Sequence, residues 1–278
     1  MAKVSIIDKK IFKIFLQISS GFFAALSAVL IFIDIPDECR IASGITVLVL
    51  LAFTYLGIWR WANNLHNISL NIEGSTVNIM TGDIFQQEGL KAIAFNEYFD
   101  TLVDDRVIAK RSLNGIFIEH HINTSVSALD QHINSYRFEG DDVLNPCIDR
   151  KYGKKIKYKI GTICVYGDYL LTAFAKFDEN NSANLSMPEY LAFLINFWDK
   201  VNGVYAQKSV STTIFGSGIT RIKGHKNISD EDLLKIMLWT FRISEMRFKH
   251  PAKLTIVIHK DKIDQINLLD IKSARNGI

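Results

Sequence analysis

Residues 75–85, STVNIMTGDIF, alternate like a half-buried strand and then stop at a glycine turn, and this pattern sets the architecture. On either side of it, HNISLNIEG (66–74) reads as a strand before and KAIAFNEY (91–98) as a strand after. Helical spacing comes next in SLNGIFIEHHI (112–122) and TSVSALDQHINSY (124–136). KIKYKIGTICVYG (155–167) and DYLLTAFAKF (168–177) predict two strands of a hairpin around Gly167 and Asp168. MPEYLAFLINFWDKVN (187–202) predicts a helix opened by Pro188, and SDEDLLKIMLWTFRI (229–243) one capped by Ser229 with acids in its first turn. VYAQKSVSTTIF (204–215) and AKLTIVIHK (252–260) predict further strands, and KIDQINLLDI (262–271) a closing helix. Strands and helices interleaved in this way give an α/β sandwich with a mixed sheet.

Upstream of this region the texture changes. The chain has 278 residues, 48% apolar and 22% charged, and the apolar excess lies before residue 62. Residues 14–33, IFLQISSGFFAALSAVLIFI, carry no charge, and residues 41–59, IASGITVLVLLAFTYLGIW, repeat the pattern. Each stretch is long enough to cross a hydrocarbon layer of about 30 Å. The polar DIPDECR between them predicts a turn, so residues 1–66 read as a two-helix transmembrane hairpin and 67–278 as the soluble domain. Lys3, Lys9, Lys10 and Lys13 ahead of the first helix and Arg60 after the second place both termini of a two-pass membrane protein in the cytoplasm. Tyr55, Trp59 and Trp61 sit where an interfacial aromatic belt belongs.

A net charge of +3 from 32 basic and 29 acidic residues argues against nucleic acid as the partner. The cluster Arg150, Lys151, Lys154, Lys155, Lys157 and Lys159 reads as an exposed solvated face. Cys39, Cys147 and Cys164 share no metal or disulfide spacing, and Glu119, His120, His121 and His132 read as a polar helix face. No P-loop, HExxH, GxSxG or helix-opening GxGxxG is found, and no nucleophile with its base stands out. No metal, catalytic residue or cofactor is therefore expected.

Two turns at carboxyl ends of predicted strands are the candidate binding elements. In Thr81-Gly82-Asp83-Ile84, Asp83 has the chemistry to accept from a purine amine while Ile84 offers a backbone donor; Asp83 serves equally as an N-cap for the segment FQQEGLK. In Phe215-Gly216-Ser217-Gly218-Ile219-Thr220, glycines let backbone N–H groups converge on a diphosphate, and the same sequence also suits a plain tight turn.

VNIMTGDIF, IAFNEYFDT, SLNGIFIEHHI and FGSGITR, taken in order behind the hairpin, resemble the membrane-anchored macro-domain effectors of Thoeris antiphage systems over the whole chain. The resemblance implies a macro-like three-layer α/β/α domain that binds an ADP-ribose derivative. It implies adenosine contacts at Asp83 and Ile84, distal-ribose contacts at Asn96, with Glu97 and Asp100 facing the attached group, and a diphosphate cradle of Asn114, Gly115, Gly216, Ser217, Gly218 and Ile219. It further implies a TIR-domain partner that makes the nucleotide signal, a histidine conjugate of ADP-ribose, and a homo-oligomer that disrupts the lipid bilayer and kills the infected cell. The family's usual NAAN is replaced here by FNEYFD, and the first loop keeps a single glycine, Gly115, which points away from ADP-ribosyl hydrolysis. The competing expectations are a tethered hydrolase using Asn96 and Asp100 on water, and a structural anchor with a degenerate macro fold.

Overall fold

A computed structural model describes residues 3–178, 181–218, 220–223 and 228–273. It separates into two units, one comprising the chain up to Ile68 together with the segment from Asp264, the other running from Ser69 to Ile263.

In the first unit α1 spans Lys9–Leu30 and α2 spans Asp37–Asn63. Both are longer than the uncharged stretches, because polar residues extend them. Asp8 caps α1 by accepting from Lys10 N–H, and Pro36 starts α2 with Asp37 and Glu38 in its first turn, where the helix dipole favours acids. The last four residues of the polar DIPDECR segment, Asp37–Arg40, are thus helix, and Asp34–Pro36 remains in the connection. Both helices are long and apolar enough to cross a membrane, and most of their side chains are uncovered. At the base of the hairpin the N-terminal segment folds back on α2. Val4 N–H donates to Asn63 Oδ1 at 3.0 Å, Trp59 Nε1 donates to Val4 O at 3.0 Å, and Tyr55 O–H donates to Ile6 O. The polar ends of Trp59 and Tyr55 are therefore held by backbone.

The closing helix departs from expectation. A single 3₁₀ turn, Ile263–Gln265, precedes α7 (Leu268–Ser273), and α7 groups with the hairpin unit. Leu269 joins Val4, Ile11, Ile58 and Ala62 in one apolar cluster, and Lys10 pairs with Asp270. The sequence places everything after residue 66 in the soluble domain; apolar contact and charge pairing put the C-terminal helix elsewhere.

The second unit is built on a mixed sheet. Its strands are β1 (Asn67–Ile72), β2 (Ser75–Thr81), β3 (Leu90–Asn96), β6 (Ile163–Tyr166), β7 (Tyr169–Phe177), β8 (Ala183–Ser186), β9 (Val210–Thr213), β10 (Arg221–Lys223) and β11 (Leu254–Ile258), while β4 (Val143–Leu144) and β5 (Lys157–Tyr158) form a separate ribbon. The order is β1-β2-β11-β9-β3-β7-β8-β10, with β6 antiparallel on β7 around the Gly167–Asp168 turn. β2, β11, β9, β3 and β7 are mutually parallel. Parallel strands buried on both faces read as apolar runs, and β11 is buried along its whole length.

Helices cover both faces. On one side α3 (Leu113–His120) and α4 (Val126–Ser135) set Phe117, Ile118, Leu129 and Ile133 against Ile93, Phe95, Leu171 and Ala173. On the other, α5 (Met187–Val204) and α6 (Asp230–Ile243) bring in Phe193, Phe197, Trp198 and Phe241, with Phe174 and Phe215 meeting Phe193 at 4.7 and 4.9 Å. Ser186 and Ser229 each open their helix with a reciprocal capping box.

Two strand expectations are shortened, and one strand pair goes unseen. Residues 155–167 hold two short strands, interrupted at Gly161, whose φ of +96° brings it against Asn196. Of residues 204–215 only Val210–Thr213 is strand, since Ala206 and Gln207 take positive φ in a turn that ends α5. β8 and β10, a short parallel pair, escape sequence detection because neither is long enough to show a period.

Candidate functional site

Every candidate turn leaves the parallel strands at their carboxyl ends, the edge where open α/β sheets collect ligands. β2 ends in Gly82–Asp83, β9 in Phe215–Gly218, and β3 in Asn96–Asp100.

At the first turn Asp83 is exposed and Ile84 is buried. The Asp83 carboxylate accepts from Phe85 N–H at 2.9 Å, capping a 3₁₀ turn (Ile84–Gln86) that packs Phe85 face to face on His121 with ring centres 3.7 Å apart. Gly82 N–H donates to Ile258 O at 3.0 Å, which ties this turn to the end of β11.

At the second turn Ser217 N–H donates to Ile214 O at 3.3 Å and Gly216 has φ +86°. A glycine with positive φ as third residue is what a type II turn demands. Three pegs hold the turn: Tyr190 O–H donates to Phe215 O at 2.8 Å, Phe215 N–H contacts Met237 Sδ at 3.4 Å, and Lys262 Nζ donates to Ser217 O. Ser217 N–H is thus occupied within the turn, while Gly218 is exposed and a Cβ on it would meet nothing within 4 Å. Ile219 lies outside the described residues. Burial raises the pKa of the Tyr190 phenol; its proton stays in place to donate. Tyr190→Phe should cost about 1–3 kcal/mol by leaving a buried carbonyl unpaired, read as a drop in melting temperature.

Asn114 and Gly115 sit in the first turn of α3 rather than in an open loop. Ser112 caps the helix, accepting from Gly115 N–H at 3.1 Å and donating to Asn114 Oδ1 at 2.6 Å. A Cβ on Gly115 would stand 2.4 Å from Ala109 O, so close backbone approach requires this glycine. The other end of α3, an eight-residue helix about 12 Å long, carries His121 against Phe85.

Asn96, Glu97 and Asp100, expected at the distal ribose, are buried in a charged knot. Asp100, 1% exposed, accepts from Arg150 Nη1 and Nη2 at 3.0 and 2.6 Å, from Asn96 Nδ2 at 2.8 Å and from Lys154 N–H at 2.7 Å. Asn96 Oδ1 accepts from Tyr98 and Asp100 N–H. Glu97 Oε1 accepts from Phe177 N–H at 3.3 Å; Lys157 Nζ stands 3.2 Å from Oε2, an ion-pair distance without hydrogen-bond alignment. Arg150 also lies 3.8 Å over the Tyr98 ring, whose phenol is pushed up to about 12 by burial and then by the Glu97 charge.

The basic cluster is consequently not a uniform solvated face. Lys151, Lys155 and Lys159 are exposed, but Arg150, Lys154 and Lys157 turn inward, Lys154 donating to Phe99 O and pairing with Asp130. Gly153, with φ +86°, admits the Arg150–Asp100 pair: a Cβ there would stand 2.5 Å from Asp100 Oδ1 and 2.7 Å from Arg150 Nη1. Arg150, Tyr190 and Lys262 were missed as site residues because each acts through a partner 25 to 50 residues away in sequence. His132 meets Val165 O at 2.8 Å, and Cys164 is buried with its thiol pushed up to about 12.

A mixed sheet between two helical layers, with turns gathered at the carboxyl edge of its parallel core, defines a macro-type α/β/α sandwich. The family model described as Thoeris protein ThsA, macro domain, matches residues 77–259. Thoeris protein ThsA of Bacillus amyloliquefaciens is 37% identical over 266 residues, covering 91% of this chain and 86% of that protein. Among solved structures, a point mutant of the Oceanobacillus iheyensis macrodomain matches with a TM-score of 0.49 and 14% identity, over 77% of this chain and all of that one. A second mutant of the same macrodomain, with ADPR, matches with a TM-score of 0.45 and 12% identity, over 75% of this chain and 96% of that one. The chain belongs to the Thoeris ThsA macro-domain family.

Proposed function

We propose that this chain is a membrane-anchored receptor of antiphage defence whose macro domain takes up an ADP-ribose derivative. The observation that carries the reading is the spacing of its two turns. Gly82–Asp83 and Phe215–Gly218 leave β2 and β9, which flank the single strand β11. Two strand spacings are about 10 Å, the scale that separates a purine from its diphosphate.

Asp83 and Ile84 then meet the adenosine. The diphosphate lies over Gly216, Ser217 and Gly218, with Asn114 and Gly115 at the α3 N-terminus, where the helix dipole favours an anion. The end with Asn96, Glu97 and Asp100 bounds the distal ribose and shapes the group attached to it, a histidine in the expected signal from a TIR-domain partner. Binding without turnover is favoured, since the Asp100 carboxylate already accepts four hydrogen bonds and is poorly placed to activate water. The apolar α1 and α2 anchor the protein in the inner membrane with both termini cytoplasmic, and ligand-driven assembly of hairpins disrupts the bilayer.

Calorimetry on the full chain in lipid nanodiscs tests the reading. ADP-ribose or its histidine conjugate should bind with no release of product, and Asp83→Ala should weaken binding about tenfold by removing one charge-assisted hydrogen bond. Absence of binding by either nucleotide would sink the receptor; turnover would replace it with the hydrolase.

A further inference from the structure

Lys262 lies just beyond β11, in the short connector that leaves the sheet and continues at Asp264 into the hairpin unit. The connector starts from a fixed point, because Ile258 O accepts from Gly82 N–H at the adenosine turn. Four residues later the Lys262 ammonium donates to Ser217 O and to Asp230 Oδ2, the latter at 2.8 Å in the first turn of α6. Ile263, next in the chain, is buried. Beyond it, within the hairpin unit, Leu269 of α7 packs with Ile11 of α1 and Ile58 of α2. The end of β11 thus touches the first candidate turn, and the connector behind it touches the second before it leaves the domain.

Ser217 O belongs to the same peptide plane as Gly218 N–H. In a planar trans peptide the carbonyl and the N–H point in opposite directions. By drawing Ser217 O to one side, Lys262 aims Gly218 N–H to the other, and Gly218 itself is exposed. We propose that Lys262 is a positioning residue that orients the Gly218 N–H for the diphosphate and couples its occupancy, through residues 259–263, to α7. This rests on the receptor reading above and adds the route by which the site is heard outside the domain. A bound phosphate fixes the peptide plane, the fixed carbonyl holds the ammonium, and the connector loses freedom. By linkage, whatever constrains the connector raises nucleotide affinity in turn.

The test uses the full chain in lipid nanodiscs, the histidine conjugate of ADP-ribose as probe, calorimetry for binding and hydrogen–deuterium exchange for coupling. In the unmodified chain the probe should slow exchange both at residues 214–218 and at 266–273. In Lys262→Met it should bind about tenfold more weakly and, at saturation, still slow exchange at 214–218 while leaving 266–273 unchanged. Lys262→Arg should restore both effects, which a loss of general stability would not allow. Should Lys262→Met fail to fold, Asp230→Asn, which frees the other anchor of the ammonium, should reduce the response at 266–273 with the turn response intact. An α7 response that survives in Lys262→Met overturns the coupling, and an unchanged affinity overturns the positioning role. A loss of binding beyond a hundredfold would make Lys262 a direct ligand contact and overturn the proposal in another way. If the unmodified chain does not bind the probe at all, the receptor reading itself fails, a result distinct from each of these.

Discussion

Arg150→Ala should lower the stability of the second unit by about 3–5 kcal/mol, the usual consequence of stripping one partner from a buried ion pair. Both side chains are nearly inaccessible, Arg150 at 7% and Asp100 at 1% exposure, so water cannot replace the guanidinium. The loss is compounded because Arg150 also donates to Lys154 O and Asn181 Oδ1 and stacks on Tyr98. For a domain of this size the melting temperature should fall by about 10 °C. Arg150→Lys should recover only part of it, since an ammonium cannot reproduce the two-pronged contact with the carboxylate. A shift of less than about 2 °C in detergent-solubilised full chain would show that the knot around Asp100 is dispensable. The knot also bears on recognition: an amine on the ligand would find the Asp100 carboxylate already engaged.

Gly216→Glu should abolish nucleotide binding, weakening it by more than a hundredfold, while leaving the domain folded. Two effects combine. The φ of +86° costs any residue with a Cβ about 1 kcal/mol. The new carboxylate has the larger influence. A Cβ on Gly216 would lie 3.5–3.6 Å from carbons of Leu233, Ile222 and Tyr190, an apolar collar in which a charge cannot rest, so the carboxylate turns outward to the proposed diphosphate site. At about 5 Å and an effective dielectric near 20, one such pair of like charges costs roughly 3 kcal/mol. Gly216→Ala separates the contributions, because it keeps the strain without the charge; it should bind within about tenfold of the unmodified chain. Equal affinity in Gly216→Glu would place the phosphates elsewhere and remove the main support for the site.

Much of the fold was legible because periodicity carries it. The uncharged stretches at 14–33 and 41–59, the alternation of 75–81 and the amphipathic runs opened by Pro188 and capped by Ser229 each record locally what the chain does locally. The two glycine turns were legible for the same reason, since positive φ and strand ends leave marks in composition. The elements that went astray are those whose conformation is decided from a distance. β8 and β10 exist because β8 pairs with β7 and β10 pairs with β8, and residues 204–209 read as strand although the end of α5 turns through them.

Charge is where sequence and structure part most clearly. A run such as 150–159 looks solvated in isolation, because six basic side chains alternate with nothing to oppose them. Only the folded chain brings Glu97, Asp100 and Asp130 to three of them, and Gly153 opens the space for the pair of Asp100 with Arg150. The order of residues was enough to specify the apolar hairpin, the α/β sandwich and the positions of its turns, all of which depend on patterns within a few residues. It took the folded chain to place α7 with the hairpin unit, to bind Asp100 to Arg150 and to bring Lys262 to the Ser217 carbonyl, because burial and ion pairing are properties of the space between distant segments.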